Sequence, residues 1–224
     1  MRRVIQHHFF YPIILLLICL VICLCNYQPH TFLTGWDTLH PEFNFSANFS
    51  RLISGVWRAD QGLGTVAAHS HMSDLPRVFF LYLIHFFTPL NFLRYAYVFL
   101  CLIIGTISSF YLLKYIFHKK ELAFIGALFY LFNLSTLQQF IVPFEMFCTQ
   151  YAFLPLILLF TLQFLHTPTR RPLLFLALTT LLATPQAYAA HLWYAFFIIY
   201  CSFLFIYYIF NLNHQAFKKF LLFF

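Results

Sequence analysis

Long apolar runs separated by short polar clusters set the pattern of this chain. Residues 9–25, 92–117, 122–142, 173–190 and 192–210 are each long enough to cross a bilayer, which takes about 17 to 25 apolar residues. Residues 147–165 qualify once Thr149 and Gln150 are admitted at the mouth of the run. The segment 78–90 is apolar but short, and it ends at Thr88-Pro89. It reads either as one more span or as a helix lying in the membrane interface. No internal repeat of fixed period is visible.

Charge decides between those two readings. The basic clusters Arg2/Arg3, Lys114/Lys119/Lys120, Arg170/Arg171 and Lys218/Lys219 flank the apolar runs, and such clusters favour the cytoplasmic side. Six spans with 78–90 interfacial put all of them on one side. A seventh span would move Lys119/Lys120 and Arg170/Arg171 across. The expected fold is therefore all-α, a polytopic transmembrane helical bundle of about six spans with an interfacial helix in a long first external loop. It comprises a signal-anchor span at 1–25, an external loop at 26–91 carrying the interfacial helix at 78–90, and five further spans within 92–217. Residues 218–224, Lys-Lys followed by Phe-Leu-Leu-Phe-Phe, read as the start of another span. The expectation is the N-terminal part of a longer protein. An anchor is preferred to a cleaved signal because Cys23-Leu24-Cys25-Asn26 offers no small residue for cleavage. The N-terminus is expected to be cytoplasmic and the first loop extracytoplasmic, with short external turns near 143–150 and 185–191. Tyr11, Tyr27, Tyr95, Tyr115, Tyr151, Trp193, Tyr207 and Tyr208 fall near the expected interfaces, where amphipathic rings are favoured.

Composition agrees. Charged residues make up 8% of the chain, 62% is hydrophobic and Phe occurs 33 times, whereas a soluble domain carries about 25% charge. Mean hydropathy is +0.80. The net charge of +7 lies in membrane-flanking clusters rather than along a groove, which argues against nucleic acid as a partner. Cys19, Cys23, Cys25, Cys101 and Cys201 lie in apolar runs and only Cys148 falls near a turn, so no disulfide framework is read from them.

The polar chemistry gathers in the first loop. It holds Asp37, Glu42, Asp60 and Asp74, with Arg51, Arg58, Arg77, His30, His40, His69 and His71. Glu121 caps a span beside Lys119/Lys120, and Glu145, in a short external turn, is placed to face the same cavity as the loop. Residues 35–43 and 55–64 each combine Trp, a carboxylate and glycine, and the second adds Arg58. Tryptophan stacks on a sugar or prenyl face, a carboxylate can act as a base, and arginine holds phosphate bidentately. Each feature also has a plain reading: solvated carboxylates, arginines that neutralise them or touch headgroups, and glycines that serve turns. His40, His69 and His71 with Asp37 or Glu42 could hold a divalent metal, though no helical metal motif occurs. No cofactor is otherwise expected. Asn44-Phe45-Ser46 and Asn48-Phe49-Ser50 match the glycosylation acceptor pattern. Charge within the spans is nearly absent, so no proton relay or ion path is read from the sequence.

An anchor followed by a long external loop opening with Gly35-Trp36-Asp37, and Asp74-Leu75-Pro76 leading into the short helix, resembles the N-terminal half of GT-C integral-membrane glycosyltransferases. The resemblance is to the YfhO-like and arabinofuranosyltransferase-like branch, whose W…DQGLG-type segment is matched by Trp57 and by residues 60–64. It covers most of the chain as architecture and about fifteen residues as motif. It implies transfer of a sugar from a polyprenyl-phosphate donor to an extracytoplasmic glycan or lipid acceptor at the outer face of the bilayer. It also implies Asp37 as catalytic base, with Glu42 as the nearest substitute, and a substrate-binding surface of Trp36, Arg51, Trp57, Arg58 and Asp60. The paired-acid pattern frequent in that family is not clearly present, since Asp37 and Glu42 are five residues apart. The alternatives are a non-catalytic membrane protein, such as a flippase partner or assembly factor, and a transporter. A transporter would show broken spans with polar residues at mid-depth, for which Pro185 and the group Asn133, Ser135, Gln138 and Gln139 are the sequence hints, although that group could instead line a donor cavity at the outer half of the membrane.

Overall fold

The computed structural model describes residues 2–35, 40–55, 57–58, 63–66 and 71–211. Among them the chain is almost entirely helical. The order is α1 (Arg2–Asn26), α2 (Phe45–Ser54), α3 (Leu75–His85), α4 (Leu90–Phe117), α5 (Lys120–Phe132), α6 (Leu134–Ile141), α7 (Glu145–His166), α8 (Arg170–Leu182) and α9 (Ala190–Asn211). Short 3-10 turns sit at Pro41–Phe43, His71–Asp74 and Thr184–Tyr188. A two-residue antiparallel ladder pairs Trp57 with Val66 and Arg58 with Thr65.

Helices α4 and α7 form the centre. At about 1.5 Å per residue the 28 residues of α4 extend roughly 42 Å. The two helices approach closely because α4 presents Cys101, Gly105, Ser108 and Ser109 to α7, all buried. A Cβ on Gly105 would lie within 2.2 Å of the Tyr151 ring. Small residues at this spacing let membrane helices pack backbone to backbone, and hydroxyls then bridge the seam. Tyr97 Oη meets Thr149 Oγ1 at 2.6 Å, Tyr151 Oη meets Thr106 Oγ1 at 3.0 Å, and Ser108 Oγ donates to the Ala152 carbonyl at 3.3 Å.

Helix α1 lies against this centre along a narrow stripe. Leu15, Cys19 and Cys23 are buried, while Leu17, Leu20, Val21 and Leu24 are exposed. Helices α5, α8 and α9 likewise expose Ile125, Phe129, Leu174, Ile198 and Phe205. Bilayer lipid is the solvent that such surfaces fit, and helices satisfy their own backbone there. Four helices, α1, α4, α7 and α9, are long and apolar enough to cross a membrane, and the α5–α6 pair makes a fifth if its 45° bend is counted as one broken span. The chain has the make-up of an integral, multi-pass membrane protein.

Contacts define two ends of the bundle. At one, Tyr11 donates to Glu121, Tyr115 stacks on His166, and His166 meets Tyr207. Lys114, Lys119, Lys120, Arg170 and Arg171 belong to the helix ends gathered there. At the other, Tyr27 packs on Tyr95, Phe147 on His191 and His71 on Tyr188. The loop elements α2 and α3 sit at this second end, with Leu81 of α3 packed beside Leu93, Tyr97 and Cys148.

Three expectations need correction. Residues 173–190 are not one helical span: α8 ends at Leu182, and Thr184–Tyr188 is a 3-10 turn. Pro185, lacking an N–H, stops the α-helical ladder. The run 122–142 is broken at Asn133, whose Oδ1 accepts from the Thr136 N–H and starts α6 as an N-cap. The short loop helix runs Leu75–His85 rather than 78–90. Pro76 opens it in the first turn, and Pro89 disfavours helix at the residue before it, so Phe86–Thr88 turns before α4 begins. The six cysteines are all free thiols.

Candidate functional site

A continuous run of buried charge lies where the first loop meets the helix ends. Asp74 closes the His71–Asp74 turn, and Arg77 lies in the first turn of α3. The Arg77 guanidinium grips the Asp74 carboxylate with two hydrogen bonds, one of them Nε to Oδ1 at 2.7 Å. Its Nη1 reaches Glu145 Oε1 at 3.2 Å. Glu145 is the first residue of α7, which begins after the helix interruption around Pro143, and an acid there complements the helix dipole. The same Oε1 pairs with Arg94 Nη2 of α4 at 2.8 Å, and Nη2 also donates to the Pro143 carbonyl at 3.4 Å. Arg94 Nη1 contacts His40 Nε2 at 3.1 Å, and His40 Nδ1 lies 2.8 Å from Glu42 Oε1.

The chemistry of the donors fixes the His40 tautomer. A guanidinium only donates, so Nε2 accepts from Arg94 and Nδ1–H donates to Glu42. His40 is then neutral. Asp74, Glu42 and Glu145 against Arg77 and Arg94 leave one net negative charge in the network. Glu42 is 4% exposed, and its Oε2 has no hydrogen-bond partner among the described residues. Arg94 Nε is likewise buried without an acceptor. Burial alone would lower the pKa of Arg77, but the adjacent Asp74 and Glu145 carboxylates more than reverse this and hold the guanidinium protonated more firmly than usual.

Of the sequence-derived site residues, Glu42 enters this network. Trp57 sits in the two-residue ladder, 57% exposed, with its indole against Gly64. Gly64 has φ +94°, and a Cβ there would approach the Trp57 ring to 2.7 Å. The W…DQGLG pattern thus closes on itself, its tryptophan covering its last glycine. Arg51 is half-buried on α2. Trp36, Asp37 and Asp60, and the side chain of Arg58, lie outside the described residues, as does His69 of the suggested metal set. His40, from that set, has both ring nitrogens engaged by Glu42 and Arg94. Among the described residues no three His, Cys, Asp or Glu side chains are grouped to hold a metal ion.

Arg94 escaped the sequence reading, which treated charge within the spans as nearly absent. Its signal was present: a single arginine inside the apolar run 92–117, where an ionisable side chain is costly and by default has a partner and a role. Glu145 was expected to face the loop, and it bonds to Arg77 of that loop. No family model, no curated protein and no solved structure matches this chain.

Proposed function

We propose that the chain belongs to a membrane glycosyltransferase that moves a sugar from a polyprenyl-phosphate donor to an extracytoplasmic glycan or lipid acceptor. The observation that carries the reading is Glu42, a buried carboxylate with Oε1 held by the His40 N–H and Oε2 left without a partner, at the junction of loop and spans. A base needs one free, oriented oxygen. Glu42, or Asp37 five residues earlier, takes the proton from the acceptor hydroxyl as the sugar develops oxocarbenium character. A lipid phosphate leaves without protonation, so one carboxylate suffices where glycoside hydrolysis uses two. Arg51, Arg58 and the open Nε of Arg94 are the candidates to stabilise charge on the departing phosphate.

The topology belongs to the same proposal. The 13 residues of α8 at about 1.5 Å and the five of the following turn at about 2.0 Å together reach roughly 30 Å, the thickness of the hydrocarbon core. Counting them as one crossing gives six spans, with every described Lys/Arg cluster on the cytoplasmic side and α3 lying at the outer interface.

The test is sugar transfer from radiolabelled polyprenyl-phosphate sugars in membranes holding the protein, with Glu42→Gln and Asp37→Asn made singly and together. Loss of the base lowers the rate by about 10²–10⁴. Unaltered transfer in the double variant, at equal protein level, sinks the reading. The bent α5–α6 pair favours one second reading, a transporter with a broken span. Solute counterflow without chemical transfer would select it.

A further inference from the structure

The break between α5 and α6 opens a cavity of about 170 Å3 bounded by Tyr130, Asn133, Ser135, Gln139, Gln150 and Tyr151, with Ile199 of α9 also on its wall. Part of this wall is fully committed. Asn133 Nδ2 donates to the Phe129 and Tyr130 carbonyls at 3.2 and 2.8 Å, and Tyr130 Oη donates to the Tyr151 carbonyl at 2.9 Å. The Tyr130 and Tyr151 rings stack on each other at 4.5 Å and 12°. Ser135, Gln139 and Gln150 are different. Their side chains make no hydrogen bond to described residues, and both amides are half-buried.

Both carboxamides are half-buried and reach the cavity, where a polar guest can meet them better than a lipid chain can. Among the described residues the lining contains no Lys, Arg, Asp or Glu, so none of them favours a phosphate or a carboxylate. Carboxamides and a hydroxyl both give and accept hydrogen bonds, which matches a group that does the same, such as vicinal hydroxyls. The volume falls below the roughly 300 Å3 of drug-sized sites, so one ring is the scale of guest it holds. Gln150 follows Glu145 by five residues, roughly 140° around α7. The cavity therefore lies on a different flank of α7 from the charge network.

We infer that this cavity binds a neutral, polyhydroxylated group, a single sugar ring carried by a glycolipid or supplied free. The inference deepens the glycosyltransferase reading, whose substrates carry such a ring, but it uses none of the residues assigned there, and binding to this cavity is read separately from sugar transfer.

The experiment uses the full chain in phosphatidylcholine nanodiscs with a diazirine-bearing glucosyl-diacylglycerol as probe. Crosslinks are expected on α6, α7 and α9, and unlabelled glucosyl-diacylglycerol should displace them at least about tenfold better than phosphatidic acid, whose headgroup carries no hydroxylated carbon. Gln139→Leu with Gln150→Leu should cut labelling by about tenfold, two lost hydrogen bonds. Ser135→Ala, too small a change to unfold the bundle, should lower it in the same direction. Gln138→Leu, exposed and outside the lining, should leave it unchanged. Displacement by free glucose as effective as by the glycolipid supports the chemistry and assigns a soluble source. Equal displacement by phosphatidic acid, or undiminished labelling of the double leucine variant, overturns the inference.

Discussion

Glu145 holds two buried guanidiniums on one carboxylate oxygen, and this makes it the residue on which the loop junction depends. Removing one partner of a buried pair leaves an uncompensated charge, whereas replacing both with apolar side chains is often tolerated. Glu145→Ala is therefore expected to cost about 3–5 kcal/mol, read as a lower thermal midpoint in detergent. Arg94→Met added to Glu145→Met should restore part of that loss, a coupling that a double-mutant cycle would measure. Arg77→Lys keeps the charge but loses the planar fork that grips Asp74, and about 1.5–3 kcal/mol should go with it. The pH behaviour has a definite sign. Arg77 has its pKa raised on folding, so its contribution is full below the unfolded value and is lost only as pH rises through the higher folded one. Stability from this pair should stay flat between about pH 7 and 10, and a fall in the wild-type midpoint that Arg77→Met abolishes would contradict it. The loop's charges could be read from sequence as residues but not as a network, because the pairing of Arg77 with Glu145 spans 68 positions. Periodicity carries no information about such contacts.

At the scale of elements, the α4–α7 seam and the loop ladder show how close approach is built from small residues. Gly105→Leu would force a side chain into the Tyr151 ring and toward its carbonyl, 2.8 Å from a Cβ. Overpacking of this kind costs about 1–3 kcal/mol, and it should appear as lost thermal stability with helix content retained. Gly64→Ala combines a left-handed φ with the Trp57 contact. Its effect should stay local, with faster hydrogen exchange across Trp57–Arg58 and Thr65–Val66 and an unchanged global midpoint. The long helices α1, α4, α7 and α9 were legible because an apolar run of that length has few other solutions. The two interrupted runs were misread for local reasons. Asn133 supplies a cap through its side chain and Pro185 removes a donor, and a hydropathy window averages over both single-residue effects. The short helix in the loop was placed but shifted, because its limits are set by Pro76 and Pro89 rather than by its apolar content.

For the whole molecule, sidedness is what connects the charge network, the basic clusters and the proposed chemistry. If α8 and the turn after it form one crossing, Pro168 and Ala187 face opposite compartments, although only 19 positions separate them. If α8 instead lies along the surface, both share a compartment, and α7 and α9 alone account for the crossings on that side of the bundle. The contacts bear on this directly: His166 meets Tyr115 and Tyr207 at one end, while Tyr188 meets His71 at the other. Cysteine-scanning with a membrane-impermeant maleimide separates the cases, in a background where the exposed native thiols Cys25 and Cys201 are replaced. Pro168→Cys and Lys119→Cys should label from the cytoplasmic side only, and Ala187→Cys and Ser46→Cys from the outer side only. Labelling of both Pro168→Cys and Ala187→Cys from the cytoplasmic side would remove the crossing. It would also place the His71–Tyr188 contact, and with it the loop's charge network, in the compartment where a polyprenyl-phosphate sugar is not presented for outer-face transfer. The topology experiment therefore tests the proposed function before any sugar is supplied.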